Sequence, residues 1–174
     1  MTRIKLKIPQ NYKLISMESS CLFTISAGYE DIDGEELSSI FQILNKTFKS
    51  CVISVCDTLQ KYNLVAQQGL SIEKAEKMAL LFGDCWMKKN ERIFNTLTIP
   101  YETVRWDSWL SNPLYSEKMA YIEDFYKKNE GFRNAILNTV QEYILRLERR
   151  NFSKELDKEK LMEYSIRYLK EEAP

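Results

Sequence analysis

The chain contains no histidine. A Ser-His-Asp or Cys-His mechanism is therefore excluded, and with it most zinc sites. Net charge is also missing. Lys plus Arg number 25 and Asp plus Glu number 25, so no global field draws a polyanion, and any nucleic-acid surface has to come from local segregation of charge. There is no Gly-x-Gly-x-x-Gly and no Walker motif, which argues against a small-molecule or nucleotide-binding Rossmann domain built on a glycine-rich phosphate loop. No segment approaches the ~18 apolar residues of a membrane span. The start, Arg3-Ile4-Lys5-Leu6-Lys7-Ile8, alternates charged and apolar residues and lacks the apolar core of a signal peptide. Residues 1–19 read as an N-terminal arm or an edge strand. The cysteines Cys21, Cys51, Cys56 and Cys85 show no Cys-x-x-Cys spacing, so they read as small buried hydrophobes in a reducing cytoplasm.

What is present is a single soluble α/β domain over residues 1–174, without internal repeat or low-complexity tract. Leu22 to Ile25 form a short apolar and β-branched run that reads as a buried strand. Ser26 stands where the run stops. Ala27 and Gly28 follow, small enough for another group to come close. Open α/β sheets place ligands at the carboxyl ends of their strands, so Ser26 is either a turn residue or a nucleophile. A helix over residues 35–48 carries Leu37, Ile40, Phe41, Leu44 and Phe48 on one stripe, with Asp33 as its cap. Residues 51–56 form a second apolar run closed by Asp57, which suggests a βαβ unit and a parallel sheet.

Ser71 caps the longest helix, expected to run to about Leu97 and to stop before Pro100. Ile72, Ala75, Ala79, Phe82, Trp86, Ile93 and Leu97 fall on one arc of it. Lys74, Lys77, Lys88, Lys89 and Arg92 fall on another, a pattern fit either for a solvated face or for a phosphate backbone. Thr103 to Trp106 is a third strand candidate, entered from Tyr101. Asn112-Pro113 marks a turn. Two helices follow, one over 116–128 with Met119, Ile122 and Tyr126 on one side, and one carrying Phe132, Ile136, Val140, Tyr143 and Leu147, with Gly131 separating them. Residues 149–154 read as a loop. In a last helix over 156–172, Tyr168 and Glu172 are four apart and share a face with Leu161 and Ser165. A tyrosine and a carboxylate projecting together can hold an ammonium group.

Two stretches carry a family resemblance. Ser20-Cys21-Leu22-Phe23-Thr24-Ile25-Ser26-Ala27-Gly28 resembles the strand and nucleophilic serine of the tRNA-dependent cyclodipeptide synthases, and Tyr168-Leu169-Lys170-Glu171-Glu172-Ala173-Pro174 resembles that family's second signature. The resemblance implies a Rossmann-like parallel sheet akin to the catalytic domains of class I tyrosyl- and tryptophanyl-tRNA synthetases. It implies an enzyme of secondary metabolism that takes two aminoacyl-tRNAs per product and needs no cofactor and no metal. Ser26 would form an aminoacyl-enzyme, a second aminoacyl-tRNA would give a dipeptidyl-enzyme, and cyclisation would release a diketopiperazine. Tyr168 and Glu172 would hold the aminoacyl ammonium group. Lys74, Lys77, Lys88, Lys89 and Arg92 would meet tRNA. Thr24, Gly28, Tyr29 and Trp106 would line the aminoacyl pocket.

The chain also departs from the pattern. Ser20 stands where the family usually has His, and Thr24 where it has Gly. Tyr29 stands where one subfamily carries a functional asparagine, so the likeness is to the other. The family's strand and loop beyond the Tyr-Glu-Pro signature, with a second catalytic tyrosine, are lacking. The alternative is a truncated or catalytically impaired relative acting as a tRNA- or protein-binding module. For the enzyme the chemistry is consistent: an aminoacyl ester is an activated acyl donor, so a serine without a histidine base suffices.

Overall fold

A computed structural model describes residues 18–27, 32–150 and 157–173. Gly28, Tyr29, the 3–8 stretch and most of the 149–154 loop lie outside the described residues. The fold is α/β with a Rossmann-like parallel sheet. In order the elements are β1 (Ser20–Ile25), α1 (Gly34–Thr47), β2 (Ser50–Val55), a 3-10 turn (Thr58–Gln60), α2 (Lys61–Gln68), α3 (Ile72–Phe94), β3 (Tyr101–Arg105), α4 (Trp106–Leu110), α5 (Pro113–Lys128), α6 (Glu130–Arg150) and α7 (Lys158–Glu172). Among the described residues no helix is long and apolar enough to cross a membrane.

The chain divides into two compact units, each with its own core. The first holds the described residues up to Asp57 together with Leu81–Trp106. The second holds Thr58–Leu80 and the described residues from Asp107 onward.

The first unit contains the sheet, in the order β1-β2-β3. Both pairings are parallel, with Ile25 opposite Val55 and Val55 opposite Arg105 on the last rung. β2 lies in the middle, and its Cys51, Ile53, Ser54 and Val55 are all buried, as the central strand of a parallel sheet requires. α1 is the crossover between β1 and β2. Its Leu37, Phe41 and Leu44 recur at helical spacing and are buried. Phe94 packs edge-on against both Phe41 and Trp86, at ring-centroid distances of 5.3 and 5.9 Å. Asn45 of α1 ties down the turn after α3, its Nδ2 donating to Thr96 O (2.9 Å) and its Oδ1 accepting from Thr98 N (2.8 Å).

The second unit is helical. Ala66, Ile136, Val140, Ile144, Leu147 and Leu161 form its core. Ser71 caps α3 through its hydroxyl (3.4 Å to Lys74 N), and Asp157 caps α7 (3.0 Å to Lys160 N).

Several expectations from sequence are corrected. β1 is not a uniformly buried run. It is an edge strand among those described, so it alternates, and Leu22 is 60% exposed. α2 and α4 were not anticipated. α2 ends on Gly69, whose φ of +68° is the left-handed cap that favours glycine. α3 stops at Phe94, leaving Leu97 in the following turn. Asn112-Pro113 opens α5, with the Asn112 side chain capping Leu114 N and proline at the first helical position. Gly131 lies inside α6. The break falls at Asn129, whose Oδ1 accepts from Phe132 N at 2.8 Å. Arg149 and Arg150 belong to α6. Asp33 precedes α1 as expected but makes no side-chain cap, because its carboxylate pairs with Lys89 instead. Cys85 is exposed and Cys21 half-buried, so only Cys51 and Cys56 are the buried thiols expected.

Candidate active site

The carboxyl ends of the three strands bring three sequence-distant positions into register. Beyond the last rung stand Ser26, Cys56 and Trp106, the residues that follow the ends of β1, β2 and β3. The ladder continues one step further through Cys56 N, which donates to Ile25 O at 2.7 Å. This bond holds the backbone from which Ser26 projects. Ser26 is exposed, and so is Thr24 two residues before it, whereas Ile25 and Ala27 between and after them are buried. The period of two thus puts Thr24 and Ser26 on the open side of the strand. Trp106 is buried as the first residue of α4 rather than the last of β3.

Asp57, which closes β2, is fully buried and ion-paired to Arg105 Nη2. Arg105 Nη1 pairs with Asp84 of α3. Burial works against the charged guanidinium, but hydrogen bonding to Asp84 and the charge of Asp57 outweigh it and hold its pKa above the ordinary arginine value. The approach of α3 to this group depends on Gly83. A Cβ there would lie 2.8 Å from Asp57 Cβ and 2.9 Å from Arg105 Nη2. Arg105 and Gly83 were missed in the sequence. The sequence offered only an arginine at the end of a strand and a Gly-Asp pair in the preceding helix, with nothing local to join them.

The Cys51 thiol is a poor nucleophile. Cys21 Sγ lies 3.1 Å from Cys51 Sγ across the β1–β2 pair, and burial, then the contact with Cys21, pushes the Cys51 thiol up to about 12.

The second unit carries Tyr168 and Glu172, one turn apart in α7, above the buried Leu161 and Ser165. Tyr168 is half-buried, and its hydroxyl oxygen accepts from Gln60 Nε2 at 3.5 Å. Glu172 is exposed at the helix end, yet desolvation by the protein around its carboxyl raises its pKa above the ordinary glutamate value. Two consecutive residues, Lys170 and Glu171, anchor this helix end. Lys170 Nζ reaches Glu123 of α5 at 2.6 Å and lies 4.9 Å from the centroid of the Tyr126 ring. Glu171 Oε1 pairs with Lys61 Nζ of α2 at 3.1 Å, with side chains only 12% and 10% exposed, and Glu171 Oε2 accepts from Tyr62. The Tyr115 hydroxyl donates to Glu171 O at 2.9 Å. Burial first, then Glu171, raises the pKa of both Tyr62 and Tyr115. Glu171, Lys61 and Tyr62 were also missed, because adjacent glutamates look alike until a partner helix is known.

The basic set is on the surface. Lys74, Lys77, Lys88, Lys89 and Arg92 are all exposed on α3, with Lys89 paired to Asp33.

An open parallel α/β sheet with a hydroxyl and a buried ion pair at its strand ends defines a Rossmann-like protein whose candidate site is the carboxyl edge. Within that class the chain is similar to cyclodipeptide synthases. It is 29% identical to a CDPS from Fluoribacter dumoffii, with a TM-score of 0.86 over 96% of this chain and 75% of that chain. A cyclodipeptide synthase from Candidatus Glomeribacter gigasporarum, solved bound to Phe-tRNAPhe, superposes with a TM-score of 0.73 at 17% identity over 94% of this chain and 74% of that one. A Mycobacterium tuberculosis protein whose structure relates cyclodipeptide synthetases to type I tRNA synthetases gives 0.70 at 17% identity over 95% and 70%. No protein-family model and no curated protein matches the chain.

Proposed function

We propose that the chain is an aminoacyltransferase that uses aminoacyl-tRNAs to make a cyclodipeptide through an aminoacyl-serine intermediate, in a ping-pong sequence. The reading rests on one conjunction. An exposed serine ends the first strand of a carboxyl-edge site, in a fold similar to that of cyclodipeptide synthases. Ser26 Oγ attacks the ester carbonyl of the first aminoacyl-tRNA. A bond forms between Oγ and the carbonyl carbon, the ester bond to the tRNA breaks, and the tRNA hydroxyl leaves with the serine proton. An ester at this oxidation level is activated, so the lack of histidine is no obstacle. The amino group of the serine-bound aminoacyl then attacks the ester carbonyl of a second aminoacyl-tRNA, and that tRNA leaves with the proton. The free amino group of the resulting dipeptidyl-enzyme attacks the serine ester, which closes the diketopiperazine and returns a proton to Ser26 Oγ.

Tyr168 and Glu172 hold the aminoacyl ammonium group, and Glu172, whose carboxyl pKa is raised by desolvation, takes part in proton transfer. Thr24 and Trp106 border the aminoacyl pocket, with Gly28 and Tyr29 assigned to it from sequence. The exposed lysines and Arg92 of α3 meet the phosphate backbone, in keeping with the tRNA bound by the Candidatus Glomeribacter gigasporarum synthase. Incubation with labelled aminoacyl-tRNA should give a serine-linked adduct by mass spectrometry, and the culture medium of an expressing bacterium should contain diketopiperazine. An adduct that survives Ser26→Ala rejects the assignment. Intact tRNA binding without any adduct replaces it with a tRNA-binding module. Charge reversal at Lys88 and Lys89 should weaken tRNA binding, most strongly at low salt.

A further inference from the structure

Four polar side chains of the second unit have no place in the chemistry above, yet they form one continuous chain that ends on Tyr168. Gln67 Nε2 donates to the Tyr143 hydroxyl at 2.8 Å. Tyr143 donates to Asn63 Oδ1 at 3.1 Å. Asn63 Nδ2 donates to Gln60 Oε1 at 2.8 Å. Gln60 Nε2 donates to the Tyr168 oxygen at 3.5 Å. Gln60, Asn63 and Gln67 recur at spacings of three and four from the 3-10 turn into α2, so they share a face. Tyr143 meets that face from α6 and Tyr168 from α7. Gln60 is only 3% exposed, and a buried amide is kept at such a place only with its bonds made.

The direction of the bonds matters. Each group donates to the next, so the amide of Gln60 is oriented from behind by Asn63 and Tyr143. It therefore presents a donor, not an acceptor, to Tyr168. The Tyr168 O–H consequently points away from Gln60. The bond restricts the ring and hydroxyl torsions of Tyr168.

We infer that Gln60 is a positioning residue for Tyr168, held in its orienting pose by Asn63 and Tyr143. The inference rests on the proposed function, in which Tyr168 contacts the aminoacyl group. Losing the alignment raises KM for aminoacyl-tRNA and lowers kcat/KM roughly ten- to a hundredfold, the scale of a misplaced contact group.

The test is a double-mutant cycle on the full chain. Gln60→Leu and Tyr168→Phe are each expected to raise KM, and the double variant should be no worse than Tyr168→Phe alone, because the phenol that Gln60 serves is gone. A merely structural Gln60 adds its loss to that of Tyr168→Phe, which would overturn the inference. Tyr143→Phe cuts the chain two links away from Tyr168 and keeps the ring packing, so it serves where Gln60→Leu folds poorly. With the tyrosine ζ-carbon labelled by 13C, the Tyr168 resonance (identified by its loss in Tyr168→Phe) should shift in both variants. An active wild type whose Gln60→Leu and Tyr143→Phe forms keep both the KM and the resonance position rejects this inference alone. A wild type that forms no adduct at Ser26 rejects the function, and the positioning role with it.

Discussion

Ser26 and Tyr168 are held in place by different kinds of force. The serine is set by backbone. The parallel register ends on Ile25, Val55 and Arg105, and the bond from Cys56 N to Ile25 O carries the ladder one step on, so Ser26 projects from a frame that no single side chain determines. The tyrosine is set by side chains. The end of α7 is tied through Lys170 to Glu123, through Glu171 to Lys61, Tyr62 and Tyr115, and through Tyr168 itself to Gln60. A hydrogen-bonded ladder tolerates substitution on its exposed face. A buried polar network does not, because each partner removed leaves another unsatisfied. The sheet end is therefore expected to be mutationally robust and the helix end fragile.

Glu171→Ala should show this most strongly. It leaves Lys61, whose side chain is 10% exposed, without its counter-ion, and breaking a buried pair in this way costs about 3–5 kcal/mol. Ser26→Ala, at an exposed position, should change stability by no more than about 0.5 kcal/mol while abolishing the adduct. Urea denaturation of the two variants measures the contrast directly. Equal losses would mean that the two sites are built alike.

Gly83→Ala marks the limit of robustness in the sheet unit. The added Cβ meets Asp57 and Arg105 within 3 Å, and the buried Asp57 cannot swing aside without abandoning its ion pair. Overpacking of this kind costs about 1–3 kcal/mol. A Gly83→Ala protein as stable as the wild type would show that the Asp57–Arg105 pair yields easily, and that the strand end is less rigid than its register suggests.

The same contrast explains what could be read from the sequence. β1, α1 and β2 were legible because apolar periodicity records burial locally: Leu37, Phe41 and Leu44 face inward by spacing alone. α3 was legible from its cap at Ser71 and its apolar arc. α2 was invisible for the opposite reason. Lys61 is buried and Asn63 and Gln67 are half-buried, although hydrophobic patterning assigns all three to solvent, because Glu171 of α7 and Tyr143 of α6 complete their bonds. Leu22 was misjudged because an apolar run does not say whether its strand lies in the middle of a sheet or at its edge. Arg105 depends on Asp57 and Asp84, which lie far from it in the chain. The strand-end serine and the α7 pair were singled out by motif, whereas the residues that support them were not, since support is a matter of three-dimensional pairing.

The smallest predicted effect bears on the chemistry of the helix end. Desolvation raises the folded-state pKa of Glu172, so folding favours its protonated form. That contribution to stability is fully present below the ordinary glutamate value and is lost as pH rises through the raised folded value. Glu172→Gln, neutral at every pH, lacks this dependence. The variant should match the wild type in acid and become slightly more stable than it near neutrality, by less than about 1 kcal/mol because the residue is exposed. Denaturation midpoints of both proteins, followed from about pH 3 to about pH 7, measure the difference. If the wild type instead gains on the variant as pH rises, Glu172 is stabilised as an anion by a cationic partner, and its carboxylate is already engaged before any aminoacyl ammonium group arrives. If the variant gains, the carboxylate is held at a cost in the free protein, and an incoming ammonium group relieves that cost on binding.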